Sequence, residues 1–500
     1  MRLQLLLLLF HFVSLPDATS ASSRPNIVFI LTDDQDVTLG GLEPMAKTKK
    51  LMTEQGVFFS NAFVSTPICC PSRSSYLTGN YIHNHGALNN SIAGNCAATD
   101  DWQSGPEKRT YATYIKEAGY RTGYFGKYLN QYGFNKTGDN GPGHIPPGWD
   151  DWMGLIGNSK YYDYSVSFNG VVEKHGNDYH ADYFTDLIAN RSIEFIHNTT
   201  KLHPDDPFLL VAATPAPHGP FTPAPQYADT YAGMHSPRTP NWNHHSKDKH
   251  WVVKEQAIMD DQRINASDTI FCNRWGTLRS VDDLVGRVFD ALNQTGKLEN
   301  TYILYSSDHG FQMGQFCIPG DKREPYEHDI RIPMLLRGPG IPANETRHEI
   351  VLNIDVAPSL IAMSGGEPPA SMDGRSFFEI ARGGKVEPSE WRTDFLVDYH
   401  GEGKPQCECV TCPIPPPDKF HEIDCSNNTY VCLRTLEGGA DGRDSIYCEF
   451  TDTNFYEYYN LKKDPWQLTN IIGSADAGEV DKLKTRLDYL RKCQGESCRK

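Results

Sequence analysis

Three short, unbroken apolar runs stand out along the chain. Ile27-Val28-Phe29-Ile30-Leu31 stops at Thr32-Asp33-Asp34-Gln35, Phe208-Leu209-Leu210-Val211-Ala212 runs into Thr214-Pro215-Ala216-Pro217-His218, and Tyr302-Ile303-Leu304-Tyr305 stops at Ser306-Ser307-Asp308-His309-Gly310. Runs of this length without polar alternation read as strands buried on both faces, the mark of a largely parallel sheet. Each ends in residues able to do chemistry. In open α/β sheets a site lies beyond the carboxyl ends of the strands, so these three ends should converge. Leu278, Val281, Leu284, Val285, Val288, Ala291 and Leu292 form a helical stripe, and Val480, Leu483, Leu487 and Leu490 form another near the end. No internal repeat occurs. Gly365-Gly366-Glu367-Pro368-Pro369 reads as a linker. The expected organisation is a leader over 1–21, a large α/β domain over 22–370 and a smaller, disulfide-rich domain over 371–500, with Pro413 to Pro417 as a loop on it.

The ends and the cysteines add a compartment. Met1-Arg2, the apolar stretch from Leu3 to Val13 and the small residues around Ala18-Thr19-Ser20-Ala21 have the pattern of a secretory signal peptide. The stretch is shorter than the roughly 20 residues of a membrane span, and no later stretch reaches that length. Eight Asn-x-Ser/Thr sequons, at Asn89, Asn135, Asn190, Asn198, Asn265, Asn293, Asn344 and Asn427, agree with secretion as candidate glycosylation sites. Six of the 13 cysteines fall between Cys407 and Cys448, and Cys493 and Cys498 close the chain. In an oxidising compartment these read as disulfides, although Cys409 and Cys412 also have zinc-ligand spacing, and the sequence does not fix the pairing. Thirteen is odd, so one thiol is left over or one cysteine does something else.

At 500 residues the chain has room for two domains and a sizeable core. Its net charge of −16 excludes a bulk nucleic-acid binder, so any anion must be met by a local basic cluster. Protonating all 18 histidines would carry the formal charge from −16 to +2, so an acidic compartment would change the molecule's electrostatics.

The most specific segment is Cys69-Cys70-Pro71-Ser72-Arg73, followed by Leu77-Thr78-Gly79. It resembles the signature of the type I sulfatases: Cys, any residue, Pro, Ser, Arg, then Leu-Thr-Gly. The resemblance continues in order from about Pro25 to the C-terminus. Asp33 and Asp34 match the family's first metal carboxylates, Asp308-His309 its second metal motif, Gly126-Lys127 its Gly-Lys motif, His218 a histidine after the central strand, and Lys322 before Tyr326-Glu327 a later active-site lysine. This implies an α/β, alkaline-phosphatase-like sulfatase fold, with a large central mixed sheet flanked by helices and a smaller C-terminal α+β domain. Within the family, Gly126-Lys127-Tyr128-Leu129-Asn130, Ala213 to His218 and the Cys493/Cys498 pair look like the branch that removes 6-sulfates from N-acetylglucosamine.

The resemblance also implies the chemistry. Cys69 is oxidised to formylglycine by the formylglycine-generating enzyme. Hydrated, it offers one hydroxyl to attack sulfur and a second whose deprotonation expels sulfate. One Ca²⁺ is held by Asp33, Asp34, Asp308 and residue 69, with His309 either a ligand or just behind. Three carboxylates brought together without a cation would repel, and Ca²⁺ accepts 6–8 oxygen ligands. Arg73, Lys127 and Lys322 supply fixed positive charge to the anionic transition state. His218, with Lys322, protonates the leaving alcohol. His85 and Asn130 are expected to touch substrate. Pro71 and Arg73 lie two and four residues after Cys69, the family spacing, which selects Cys69 over Cys70 and leaves an even 12 cysteines for pairing. Two departures stand out. Tyr76 replaces a more usual aliphatic, and Leu129 and Asn130 occupy the positions where many sulfatases carry a histidine after the Gly-Lys lysine, which leaves that role unassigned.

The expected activity is hydrolysis of sulfate monoesters, with the 6-sulfate of N-acetylglucosamine in heparan sulfate or keratan sulfate as target. The chain would act in the lysosome, reached by the secretory pathway, or be secreted; a homodimer is left open. An extracellular endosulfatase is the alternative within the family, but its long basic insert has no counterpart here. A metallo-phosphodiesterase of the same superfold would use Ser or Thr and two metals. A non-catalytic secreted glycoprotein would have no reason to keep every site residue.

Overall fold

The computed structural model describes residues 24–134, 141–384, 390–402, 428–438 and 442–500. The leader, Asn135, Asn427, Cys407, Cys409, Cys412, Cys425 and the Pro413–Pro417 loop lie outside the described residues.

The main sheet uses strands β1 (Asn26–Thr32), β2 (Val57–Phe59), β4 (Arg121–Gly126), β5 (Asp151–Leu155), β6 (Ser165–Phe168), β7 (Val171–Lys174), β8 (Phe208–Ala213), β9 (Thr301–Ser307), β10 (Met334–Arg337) and β11 (Glu345–Arg347); β3 (Ala62–Phe63) and β12 (Val351–Leu352) pair separately. The order is β11-β2-β10-β9-β1-β8-β4-β5-β6-β7. The central five, β9-β1-β8-β4-β5, are parallel, while β10 and β6 pair antiparallel with their neighbours, so the sheet is mixed as expected. Every residue of β1, β8 and β9 is buried, as their unbroken apolar runs predict. Alternate residues serve opposite faces. Ile27, Phe29 and Leu31 enter one core and Val28 and Ile30 the other.

The predicted stripe from Leu278 to Leu292 packs on the Val28/Ile30 face, within a longer helix, Asp261–Gln294. Asp260 caps that helix by accepting from the Arg263 N–H at 3.0 Å. On the other face lies the Cys69–Thr78 helix, all ten residues buried. The Phe29 core then continues into a four-stranded antiparallel sheet, β13 (Asp394–Tyr399), β14 (Tyr430–Leu436), β15 (Asp444–Phe450) and β16 (Phe455–Asn460), and into the Ala477–Leu490 helix. Leu483, Leu487 and Leu490 of that helix are buried, as the stripe predicts. The C-terminal unit is thus a smaller α+β layer, in line with the fold class.

Disulfides join Cys70 to Cys96, Cys432 to Cys448 and Cys493 to Cys498. Cys432 and Cys448 face each other directly across β14 and β15. Cys272 and Cys317 are free thiols, so at most ten of the 12 cysteines other than Cys69 pair. Among the sequons, Asn190, Asn198, Asn265, Asn293 and Asn344 are exposed. Asn89 corrects the expectation. It is buried, its Oδ1 accepts from the Ser91 N–H at 3.0 Å, and its Nδ2 donates to the Gly401 carbonyl at 3.2 Å, so the folded chain does not present this amide to solvent. Among the described residues no helix is long and apolar enough to cross a membrane.

Candidate active site

The strand register decides what meets. Thr32 pairs with Ser307, Leu31 with Ala213, and Ala213 with Gly126, so β1, β9, β8 and β4 end level. Backbone bonds cross the seam from Asp308 N–H to Thr32 O (3.1 Å), from Asp33 N–H to Ala216 O (2.9 Å) and from Lys127 N–H to Ala213 O (2.9 Å). Gly126 makes that approach feasible. At its φ of +125° a Cβ would sit 1.9 Å from the Ala213 carbonyl oxygen. Asp34, at φ +66°, turns the chain so that two successive carboxylates serve one cluster.

Asp33 accepts from Lys127 Nζ at 2.7 Å and from Ser159 Oγ at 2.6 Å, and lies 3.6 Å from Arg73. Asp34 pairs with Lys322 Nζ at 3.2 Å, and its backbone N–H donates to Asp308 Oδ1 at 2.9 Å. Asp308 is held by Arg73 Nε at 2.8 Å, and Arg73 also donates to the Lys127 carbonyl at 2.8 Å. Cys69 opens the buried helix, where the helix dipole presents its positive end. Its Sγ lies 3.7 Å from Asp33 and 3.4 Å from His309 Nε2. Tyr76, the residue unusual for the family, donates to the Ser307 carbonyl at 2.8 Å and so ties the Cys69 helix to the strand that delivers Asp308.

The electrostatics follow from burial and charge. Burial would raise Asp33, but Lys127, His218 and Arg73 hold it well below the usual carboxylate range. Against the same burial, Lys322, His218 and His309 bring Asp34 down to about 2. Asp308 is raised by burial and by Asp33. Burial pushes the Cys69 thiol well up, so an unmodified cysteine here would not be a thiolate nucleophile. Burial lowers His218 to about 4.

The donor set fits a divalent cation. Ligand atoms of Asp33, Cys69, Asp308 and His309 lie within 4.8 Å of one another, as do those of Asp33, Asp34, Cys69 and His218. Asp34 Oδ1 is buried, with no hydrogen-bond partner among the described residues. His309 uses Nδ1 on the Gly310 carbonyl at 2.9 Å, which aims the Nε2 lone pair at Asp34 and Asp308, 3.4 and 3.6 Å away. Lone pairs converging in a dry site require positive charge between them.

Beside the cluster opens a cavity of about 590 Å³, whose lining includes Asp34, His218 and Lys322 together with Phe134, Phe221 and Phe311. His218 faces it, with Nδ1 on the Gly219 carbonyl at 2.8 Å. Of the residues singled out in the sequence, Asp33, Asp34, Cys69, Arg73, Lys127, His218, Asp308, His309 and Lys322 all meet here. Asn130 lies one layer back, donating to Asn158 Oδ1 at 3.2 Å, and it is Asn158 that lines the cavity. His85 does not come here. Its ring is buried against Ser75 Oγ (3.1 Å) and edge-on to Trp102, so the expected substrate contact is not supported. Sequence reasoning missed Ser159, and it missed Arg274, which donates to the Asp34 carbonyl at 2.6 Å. Ser159 and Asn158 follow β5, a fifth parallel strand disguised by Trp152 and Gly154.

The comparisons agree with this geometry. The sulfatase family model matches residues 25–366. An N-acetylglucosamine-6-sulfatase of Capra hircus is 44% identical over 492 residues, 96% of this chain and 86% of the relative. An extracellular sulfatase SULF-1 homolog of Drosophila melanogaster is 45% identical over 388 residues, 77% of this chain and 34% of the relative. A solved structure of a protein in complex with its substrate D-glucosamine-2-N,6-O-disulfate shares the fold, with a TM-score of 0.75 and 23% identity over 94% of this chain and 98% of that one. With the family model spanning the whole parallel sheet and its strand-end cluster, the chain belongs to the sulfatase family, the sulfuric ester hydrolases.

Proposed function

We propose that this sulfatase removes the 6-sulfate from N-acetylglucosamine at the ends of heparan sulfate or keratan sulfate chains. The observation that carries the reading is the 590 Å³ cavity, within the range of small-molecule sites, with Lys322 and His218 on its wall and Asp34 of the carboxylate cluster lining it. The 44% identity to a curated N-acetylglucosamine-6-sulfatase supports the choice of sugar.

Sulfatases use a formylglycine and a divalent metal. Here residue 69 would be the formylglycine, made by the formylglycine-generating enzyme, and it supplies the two hydroxyls that a simple serine lacks. Asp33, Asp34, Asp308 and His309 would hold the ion, Ca²⁺ by its oxygen-rich donors, and it supplies positive charge to a sulfate oxygen. The chain's own residues do the rest. Lys127 and Arg73 fix Asp33 and Asp308 in place. Lys322 presents an ammonium to the sulfate at the cavity wall. His218, with Nδ1 committed to Gly219, turns Nε2 to the leaving oxygen and protonates it. That role needs the imidazolium, which fits action in an acidic compartment, the lysosome, reached through the secretory pathway.

The second reading is an extracellular endosulfatase, favoured by the 45% identity to the Drosophila protein. One experiment separates them. Enzyme made with the formylglycine-generating enzyme is assayed on N-acetylglucosamine-6-sulfate, on oligosaccharides with a terminal 6-sulfate and on polymer with only internal 6-sulfates. Release from the first two is expected. Release from internal positions alone overturns the proposal in favour of the second reading.

A further inference from the structure

A second buried histidine cluster lies behind the cavity wall. His250 is fully buried between two carboxylates, with Nε2 2.9 Å from Glu324 and Nδ1 3.0 Å from Glu457. Two buried carboxylates at these distances favour the charged imidazolium of His250. Glu457 belongs to β16 of the C-terminal sheet and is saturated. Its Oε1 also accepts the His250 backbone N–H at 2.7 Å, and its Oε2 accepts from Tyr459 at 2.8 Å and Tyr326 at 3.2 Å. The His250 ring stacks on Phe450 of β15 at 4.0 Å. Glu324, at the other end of the clasp, stands two residues after Lys322. Between them Arg323 adopts φ +93°, a strained conformation for a side-chain-bearing residue that persists only when its surroundings impose it. Tyr430 of β14 contributes, donating to the Arg323 carbonyl at 2.7 Å.

We propose that this clasp is a positioning device for Lys322. The C-terminal sheet grips the segment after Lys322 at two points, Tyr430 on Arg323 and Glu457 through His250 on Glu324. The strained turn so held sets the reach of the Lys322 ammonium to Asp34 and the cavity. His250 touches neither substrate nor metal ligands; it acts through Lys322. The inference deepens the proposed function and rests on its placing Lys322 at the sulfate.

The test is a double-mutant cycle on the full-length, formylglycine-bearing enzyme, read on an aryl sulfate and on N-acetylglucosamine-6-sulfate. His250→Gln is expected to lower kcat roughly 10- to 100-fold with little change in KM, the cost of a misplaced group. In a Lys322→Ala background the same change should lower kcat less than about twofold, since nothing is left to position. Equal fold losses in both backgrounds, or a wild-type kcat for His250→Gln, overturn the proposal. If His250→Gln is not secreted, Tyr430→Phe takes its place in the cycle. It removes one hydroxyl and should cost roughly tenfold in the wild-type background and nothing over Lys322→Ala; equal losses again overturn the proposal. Wild-type enzyme that cleaves the aryl sulfate but not the sugar sulfate defeats the substrate reading alone and leaves the cycle readable.

Discussion

Two buried clusters of histidine and carboxylate sit on either side of Lys322, and they are built to opposite ends. At the strand ends Asp33, Asp34 and Asp308 crowd together, Asp34 Oδ1 has no hydrogen-bond partner among the described residues, and two histidines spend Nδ1 on backbone carbonyls. His309 thereby turns its lone pair inward and His218 faces the cavity. In the clasp, His250 spends both nitrogens on carboxylates, and both Glu457 oxygens are occupied. The first cluster gathers three carboxylates beside a cavity; the second sets one histidine between two carboxylates inside the chain, none of them lining that cavity. The pKa directions differ too. Burial takes His218 down to about 4, whereas Glu324 and Glu457 overcome burial and bring His250 up to about 9. A buried histidine and its carboxylates therefore do not by themselves mark a catalytic site; what marks one here is that Asp34 and His218 also line the cavity.

The largest effects should come from the strand-end cluster and spare the fold. Cys69→Ala should lose at least about 10⁴-fold in kcat, the scale of removing a nucleophile. Mass spectrometry should find the aldehyde at residue 69 only, because Cys70 is committed to Cys96. Cys69→Ser should react once and stall, seen as a sulfated peptide. Asp308→Asn should lose metal by elemental analysis and activity by roughly 10³-fold, the cost of a lost electrostatic partner in the transition state. The metal-free protein should keep or raise its melting temperature, because one of three mutually repelling carboxylates is gone. Near-normal turnover in Asp308→Asn would remove the distinction between the clusters.

Breaking the clasp should cost stability as well as rate. Glu457→Gln leaves the His250 imidazolium short of a counter-charge and should cost about 3 kcal/mol of stability by denaturant titration. A neutral change in stability would mean that the clasp is not a charged pair.

The pH dependences should separate as well. In activity, the His218 proton donor is lost as pH rises above about 4, so kcat/KM should fall toward tenfold per unit until another step limits. In stability, His250 has a folded pKa of about 9 against 6.5 unfolded. Its contribution, on the order of 3 kcal/mol, is complete below pH 6.5 and lost as pH climbs through about 9. Glu457, lowered to about 2 from 4.5 by Lys249 and His250 against burial, contributes above pH 4.5 and loses that contribution as pH falls through about 2. Stability should thus be greatest near pH 4.5–6.5. A stability curve that tracked the activity curve would merge the two clusters into one.

The same contrast explains what the sequence disclosed. The strand ends were legible because continuous apolar runs announce β1, β8 and β9, and each is followed at once by its chemistry. Cys69 and Arg73 sit in one local motif. Ser159 was hidden because β5 carries no such run, and Arg274 because it lies one turn before the regular stripe of its helix. The clasp left no local trace. His250, Glu324 and Glu457 come from three distant segments, and only the packing of the C-terminal sheet brings them together. Asn89 shows the converse. Its sequon is a good local signal, yet the carboxamide is spent on the turn that follows.

A third buried histidine provides the control. His85 follows the Thr78-Gly79 signature closely, and that proximity made it a substrate-contact candidate. The fold instead lodges it between the Cys69 helix and Trp102, with Nε2 on Ser75 and Nδ1 accepting the Ala87 N–H at 3.1 Å. Burial takes it down to about 3, so it stays neutral wherever the enzyme works and contributes to neither pH curve. His85→Gln should therefore cost no more than two neutral hydrogen bonds, about 1–3 kcal/mol in denaturant titration, and change kcat/KM less than about twofold. A tenfold rise in KM for N-acetylglucosamine-6-sulfate with unchanged stability would place His85 in reach of the cavity. Lining the cavity would then no longer separate catalytic from structural histidines in this fold, since a ring with both nitrogens spent inside the chain would be binding substrate.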